Sequence, residues 1–498
     1  MSLHRLVVYG GGVSAWVTAA ALANAYSADT VEIVLISPDI ETNEPSIADS
    51  GFASLRRFHA NMRISERALM HQTSATFKVG VRYRDWAKPG QHFVHGLGDC
   101  GNMLDGIDFH QYANLLRQCG DTTPFDSYSL AAVSANMGKF GFLGKDLVEK
   151  GFSLDYSLHV DLPQYAALMQ AFALKKQLHV VHGRLEHVNI DVDGSIQSVV
   201  LNSGAVVEGD FFVDCSGSDS ALMSRLKDDK FIAWNTELPV NKQVSVVVDS
   251  VLKSRLCTGL SAHPYGWMAS IPLRDKTSYV LTYSNEFVSD EDAIAAVMNV
   301  AGSTASESIR LSNYAPGRRQ SFWLGNCVAI GAAAGNFADL AFSYLHHVQN
   351  GILRFINLYS TAGANHFAAQ EYNQITSAEY SRVLDYQQLN LLLCSSQSSD
   401  FWKNINNISC SDELKHKMDL FKVRGKLAFN EYETWMPGVW ISLLLGNDYW
   451  PEKHNVLLNG CQLEFVANRL KQMRMAYSNL ATQLSDEDEF LSRYAILS

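Results

Sequence analysis

Leu6-Val7-Val8-Tyr9-Gly10-Gly11-Gly12-Val13-Ser14-Ala15, continued by Trp16 to Ala25 and then by Val31-Glu32-Ile33-Val34-Leu35-Ile36, is the stretch that decides the fold. A short apolar strand, a glycine turn, an alanine-rich helical run and a second apolar strand spell a β-α-β unit. Gly10 and Gly12 let the backbone turn sharply and approach a pyrophosphate, and the small Ala15 lets the helix sit close on the strand. The helix start at Val13 and Ser14 adds N–H donors and the positive end of the helix dipole. A lone G-x-G-x-x-A is a weak signal. Its place between strand and helix gives it meaning here, against the alternative of a glycine turn that holds no nucleotide. The acid expected at the end of the second strand is missing, since Ser37-Pro38-Asp39 stands there. Ser37 is the candidate for the ribose hydroxyls, with Asp39 placed to reach around.

Further along, His179-Val180-Val181, Val188-Asn189-Ile190 and Ser198-Val199-Val200-Leu201 alternate as strands around an Asp193-Gly194 hairpin turn. Phe211-Phe212-Val213-Asp214 runs into Cys215-Ser216-Gly217. Val328-Ala329-Ile330 runs into Gly331-Ala332-Ala333-Ala334-Gly335, and a helical stretch follows from Leu345 to Leu358. Three separate strand-to-small-residue turns suit one long dinucleotide lying across a doubly wound, Rossmann-like α/β sheet, so FAD fits better than NAD. Gly331 and Gly335 join Gly10 and Gly12 as candidate flavin residues. After about residue 365 the pattern turns helical and aromatic. The expected organisation is an FAD-binding domain over 1–360 with inserted substrate-side segments, then a mainly helical substrate-covering region over 361–498.

Composition narrows the function. A chain of 498 residues with 47% hydrophobic content exceeds what one core usually serves, which agrees with two substructures. A formal charge of −11 argues against a nucleic-acid binder, which needs a lysine and arginine surplus. Eight cysteines without a C-x-x-C fit buried thiols in a reducing compartment, and a cytoplasmic protein is expected. No signal peptide is read at the N-terminus, and no apolar run approaches the ~18 residues of a membrane span.

His346-His347 lacks metal-ligand spacing, and no metal site is expected. Asp214 and Asp219 read as turn and helix caps, Arg318-Arg319 as a turn before a strand, and Asp486-Glu487-Asp488-Glu489 as a solvated helix face or cap.

Several longer stretches resemble the flavin-dependent tryptophan halogenase family nearly end to end. They are the Gly10-Gly11-Gly12 turn with Ala15-Trp16, Ala75-Thr76-Phe77-Lys78-Val79-Gly80-Val81-Arg82-Tyr83 with Asp85-Trp86, and Asp155-Tyr156 with His159-Val160-Asp161. To these are added Phe212-Val213-Asp214-Cys215-Ser216-Gly217, and Gly317-Arg318-Arg319 ahead of Phe322-Trp323-Leu324-Gly325-Asn326-Cys327-Val328-Ala329-Ile330-Gly331. The resemblance implies a flavin-monooxygenase-type fold and FAD delivered reduced by a separate flavin reductase. With dioxygen and halide (chloride or bromide) the flavin makes hypohalous acid. That oxidant travels an internal tunnel to a lysine beside an electron-rich, indole-like ring. By motif Lys78 takes the lysine role. A lysine suits the task because its ammonium donates to a hypohalite oxygen, or, once desolvated and neutral, forms a haloamine. Periodicity alone reads differently, placing Lys78 on a polar strand face with Gly80, Arg82 and Arg84 as an ordinary surface lysine. A homodimer is an arrangement common among such proteins.

The departures bear on activity. Where the family carries a glutamate, in acid-Pro-Leu-Glu-Ser-Thr, this chain reads Asp339-Leu340-Ala341-Phe342-Ser343-Tyr344, so Ala341 takes the glutamate position. Ser343 is a fair replacement for threonine in the implied halide pocket, and Tyr344 is bulky where a small residue is usual. Trp267-Met268-Ala269-Ser270-Ile271-Pro272 keeps the first tryptophan of Trp-x-Trp-x-Ile-Pro and loses the second. Ala48-Asp49-Ser50-Gly51-Phe52-Ala53 stands for Gly-Glu-Ala-Thr-Ile-Pro, which makes Asp49 a flavin-side candidate. His95 matches the family's ring-clamp histidine, Leu97 replaces an aromatic, and Trp435 and Trp440 are candidates for another wall. Three readings stay open on this evidence: a halogenase with its own substrate, a flavin monooxygenase or oxidase, and a scaffold with little chemistry.

Overall fold

The opening unit folds as its pattern dictates in the computed structural model, which describes residues 3–38, 47–249, 251–302, 309–338, 340, 343–363 and 365–495. His4–Tyr9 (β1), Val13–Ala25 (α1) and Val31–Ser37 (β2) form a β-α-β unit, with Val8 opposite Leu35 in parallel register. Helix α1 is buried almost all round, from Val13 to Leu22, because the helices Leu162–Leu174 and Tyr344–Leu358 cover it. That explains why its apolar residues show no single stripe.

The six-stranded sheet runs Trp323–Leu324, Cys327–Ala329, Phe211–Asp214, β1, β2, His179–His182, parallel except for the two-residue edge strand. The turns after β1, Asp214 and Ala329 therefore leave neighbouring strands on the same edge, as one extended dinucleotide requires. The middle turn is held by Asp214, whose carboxylate accepts from the amides of Ser216 (3.0 Å), Leu222 (2.8 Å) and Met223 (2.9 Å) and from the Ser216 hydroxyl (2.5 Å). This is the capping role that its sequence context suggests.

A seven-stranded sheet follows the order Arg310–Asn313, Lys242–Val248, Thr277–Tyr283, Gly266–Pro272, Cys257–His263, Gly80–Arg84, His92–Gly96. One face joins the main core. The other forms a smaller cluster with Val244, Met268, Leu281 and the helix Asp290–Ala301. A third sheet of three short strands, Ala48–Ser50, Ser157–Asp161 and Thr76–Lys78, is antiparallel throughout.

This arrangement corrects the reading of Phe77 to Tyr83 as one continuous strand with Lys78 on a polar face. The run breaks at Val79, whose amide donates to the Leu256 carbonyl and whose carbonyl accepts from the Leu97 amide, both at 2.7 Å. Thr76–Lys78 belongs to the small sheet and Gly80–Arg84 to the large one, so Lys78 is 1% exposed while Arg84 stays at the surface.

Helices dominate after residue 364: Asn365–Leu392, Asp400–Ile405, Asp412–Arg424, Pro437–Gly446, Leu463–Gln483 and Glu487–Ala495. One core continues from Leu6 to Leu491, so these helices share their interior with the sheets. The acidic tail differs from a uniformly solvated face. Ser485–Asp486 pairs with Lys139–Phe140, and buried Glu487 accepts from the Arg255 amide (2.8 Å) and the Ser254 hydroxyl (3.3 Å). Among the described residues no helix is long and apolar enough to cross a membrane, and no His/Cys/Asp/Glu cluster is set to hold a metal.

Candidate active site

Lys78 ends its strand with the ammonium inside the protein. Nζ donates to the carbonyl oxygens of Ser50 (3.1 Å) and Gly51 (3.0 Å) and lies 5.2 Å from the centre of the Phe52 ring. Among the described residues no carboxylate forms an ion pair with it. Burial pulls its pKa down to about 8, and the field of Asp49 opposes that fall.

The Ser50 carbonyl is held in place by a directional chain of hydrogen bonds. The Thr76 hydroxyl donates to the Pro272 carbonyl (2.8 Å), so its oxygen must accept the Nδ1–H of His159 (3.0 Å). His159 Nε2 then accepts from the Thr258 hydroxyl (3.0 Å), and Thr258 accepts from the Ser50 hydroxyl (2.6 Å). Burial keeps His159 neutral, far below its usual pKa, and the network assigns its Nδ1–H tautomer. In the sequence His159 stands only as one residue of the stretch Asp155-Tyr156 with His159-Val160-Asp161 that resembles the family. The available signal was the alternation Ser157, His159, Asp161, polar residues on one face of a strand whose other face is apolar.

Asp49, 4% exposed, turns its carboxylate to the start of the helix Tyr344–Leu358. It accepts from the Ser343 hydroxyl (2.7 Å) and the Tyr344 amide (2.8 Å), with the Leu345 amide at 3.5 Å. Burial raises its pKa, while Ser343, Lys78 and these amides pull the other way. Ser343 in turn caps the helix by accepting from the His346 amide at 3.2 Å. Asp49 and Ser343 are thus brought together, whereas Ala341 lies outside the described residues, as do Asp39 and Asp339.

Around Lys78 the walls are aromatic. Phe52 packs against His346 (5.1 Å between ring centres) and Trp435 (5.8 Å), Trp435 stacks on Tyr386 (3.9 Å), and Trp440 stands edge-on behind Tyr386 (5.0 Å). The structure therefore places Trp435 behind Phe52, the ring beside the lysine, with Tyr386 next and Trp440 beyond it, over Lys417, which is paired with Glu433. His95 is buried, its Nε2–H donates to the Val439 carbonyl (3.0 Å), and burial lowers its pKa to about 4, so the ring is neutral. Leu97 is half-buried beside it. Trp267 and Ala269 both face the main core while Met268 faces the other way, so only a methyl stands where the family's second indole would be.

The glycine turns fit a flavin dinucleotide. Helix α1 starts at Gly12 with no side-chain cap and no acid in its first turn, leaving its positive end for an anion. At Gly217, with φ of +80°, an added Cβ would meet nothing within 4 Å. Gly10 is required by its neighbour, since a Cβ there would strike the Cys215 carbonyl. Gly331 has φ of +70°, and a Cβ on it would lie 2.8 Å from the Tyr344 hydroxyl and 3.0 Å from Cβ of Ser14. The Tyr344 phenol thus reaches the third turn beside Ser14. Gly335 differs from its expected flavin-lining place: it lies between Gly317 and the Tyr380 ring, where packing alone demands glycine. Ser37 is buried at the end of β2, where the ribose acid would stand. Arg319 is ion-paired with Asp229 and donates to the Ala333 carbonyl (3.3 Å), fastening the third turn. His346 meets the Ser54 hydroxyl (2.7 Å) and His347 stacks on Phe337 (4.2 Å between ring centres), which makes both histidines packing groups.

With this geometry in place, the tryptophan halogenase family model matches residues 5–462. The chain belongs to the tryptophan halogenase family. It is 24% identical over 475 residues to tryptophan 6-halogenase SttH of Streptomyces toxytricini, covering 89% of each chain. It is 22% identical over 457 residues to tryptophan 7-halogenase RebH of Lentzea aerocolonigenes, covering 86% of this chain and 83% of that one. In structure it superposes on BrvH, a flavin-dependent halogenase from Brevundimonas sp. BAL3, with a TM-score of 0.94, 28% identity and 99% of both chains covered. Xcc4156, a flavin-dependent halogenase from Xanthomonas campestris, gives 0.94 at 26% identity, covering 100% of this chain and 99% of that one. The flavin-monooxygenase-type fold and FAD dependence expected from the sequence are those of this family.

Proposed function

We propose that the protein halogenates an electron-rich aromatic substrate of the indole class, with Lys78 as the group that presents the oxidant. The observation that carries this reading is a fully buried lysine whose ammonium is fixed by two carbonyls beside an aromatic wall. Bound reduced FAD supplies, with dioxygen and halide, the hypohalous acid. Gly10, Gly12, Val13, Ser14, Ala15 and Gly331 hold the dinucleotide at the sheet edge, with Ser37 at the ribose end. Two N–H bonds of Lys78 are taken by Ser50 and Gly51, and the third donates to the hypohalite oxygen, drawing electrons from the halogen. The transfer balances as hypohalous acid plus arene giving aryl halide plus water. His95 and Phe52 bound the ring's place, and neutral His95 adds no competing charge. The names of the relatives support an indole ring, membership of the family supports a separate flavin reductase, and eight cysteines outside any disulfide support a cytoplasmic setting.

The test uses purified protein, FAD, a flavin reductase, NADH, oxygen and bromide, with hypobromite measured by a small chemical trap against a control without the protein. Bromination above the control is expected. FAD binding with no bromination at any halide concentration would overturn the reading in favour of an oxygenase or an inactive scaffold. The pH dependence follows from the ammonium role: product formation on an indole should be sustained below about pH 8 and be lost as pH rises through the Lys78 midpoint. A rate that climbs through that range would instead mean that neutral Lys78 reacts as a haloamine.

A further inference from the structure

Position 341 carries no acid, and Lys78 has no ion-pair partner among the described residues, yet a buried ammonium needs a nearby negative charge to stay protonated. The groups that face Lys78 electrostatically are Asp49, Cys257, His95 and His159. Burial pushes the Cys257 thiol up to about 12, His95 down to about 4 and His159 well below its usual value, so all three are neutral at working pH. Among the described residues Asp49 is the remaining charge. Its position is fixed at both ends. The side chain is held by Ser343, Tyr344 and Leu345 at the flavin-side helix, and the next two residues, Ser50 and Gly51, give Lys78 their carbonyls.

We propose that Asp49 is the positioning acid of this site: its carboxylate, anchored on the N-terminus of the helix Tyr344–Leu358, supplies the negative charge that keeps Lys78 an ammonium and fixes the backbone that aims it. The inference rests on the reading of Lys78 given above and deepens it. Asp49 does not touch the reacting atoms. It acts through Lys78, and it mechanically links that lysine to the turn at Gly331, which Tyr344 reaches.

The test reads lysine ionisation directly and needs no halogenation. Full-length protein labelled with 13C at the lysine ε-carbon is titrated by NMR, the Lys78 signal being assigned by its absence in Lys78→Met. Asp49→Asn keeps the shape, since its carbonyl still accepts from the Tyr344 and Leu345 amides and its amide donates to the Ser343 oxygen. The Lys78 midpoint should fall by about one pH unit in Asp49→Asn and stay close to wild type in Asp49→Glu. A folded Asp49→Asn protein with an unchanged midpoint overturns the proposal. Should that variant not fold, reciprocity supplies the second measurement: Lys78→Met should raise the Asp49 carboxyl midpoint, and no rise overturns the proposal equally. A shifted midpoint in a protein whose product formation on an indole substrate ignores Lys78→Met would leave the Asp49 inference standing and refute the Lys78 reading, so the two failures are distinguishable.

Discussion

Lys78→Ala is expected to abolish halogenation while FAD binding stays at the wild-type level. Lys78 lies in the small sheet, and the dinucleotide turns belong to the six-stranded parallel sheet, so the substitution leaves β1, α1 and the turns at Gly217 and Gly331 untouched. The N–H that meets the oxidant is removed outright, and losing one such preorganised donor costs roughly a hundredfold to a thousandfold in rate. Residual product near the no-protein background would come from hypohalous acid leaking into solution. Lys78→Met, which fills the space better, should lose activity equally, because shape is not what the reaction needs. The measurement is product formation with a fixed indole substrate, together with FAD affinity by fluorescence quenching. A variant that keeps full activity would remove Lys78 from the mechanism. Loss of FAD binding alongside activity would show that the damage is to the fold.

The fold was legible from the opening unit because that information is local. Continuous apolar runs, a glycine turn and a small residue at Ala15 fix strand, turn and helix within about 30 residues. The three strand-to-small-residue turns pointed to one doubly wound sheet, and the parallel order β2, β1, Phe211–Asp214, Cys327–Ala329 has that form. Lys78 was legible only through resemblance. Its burial depends on the break at Val79, and that break is made by Leu256 and Leu97, which flank the strands Cys257–His263 and His92–Gly96. A period-two pattern cannot report a strand that changes sheets in mid-run. The lysine's carbonyl cradle escaped for the same reason, since Ser50 and Gly51 are backbone acceptors and any residue there presents the same oxygen. Trp435 could be suspected but not placed, because its partner Phe52 is remote in sequence and their contact exists only once the helices after residue 364 have packed.

The acidic tail opens the helix Glu487–Ala495 much as a helix cap, with Glu487 alone buried, and the packing of that helix yields the second large effect. Replacing Phe490 and Tyr494 together by alanine should destabilise the protein by several kcal/mol and sharply reduce halogenation with FAD binding retained. Both rings pack around Phe77, the residue next to Lys78, at 5.6 and 5.5 Å between ring centres, inside a cluster that includes Phe140, Phe142 and Tyr156. The Tyr494 hydroxyl also shares Glu66 with the Tyr156 hydroxyl, both at 3.0 Å, and Glu66 is ion-paired with Arg56. Fully burying an aromatic ring is worth about 1.5–3 kcal/mol, and these two are only half-buried, so the double variant loses less than twice that from burial. The lost ring contacts and the Glu66 hydrogen bond bring the total to roughly 3–5 kcal/mol. Against a margin of about 5–15 kcal/mol the protein still folds, with a lower melting temperature. The strand carrying Phe77 and Lys78 is then held by only one neighbour, Ser157–Asp161, and loses its outer support. Hydrogen exchange should quicken across residues 76–78 and 487–495 and stay slow in β1 and α1. Tyr494→Phe, which keeps the ring and drops only the hydroxyl, should recover most of the activity. If exchange rises uniformly instead, the tail contributes global stability alone and Phe77 is not its point of action.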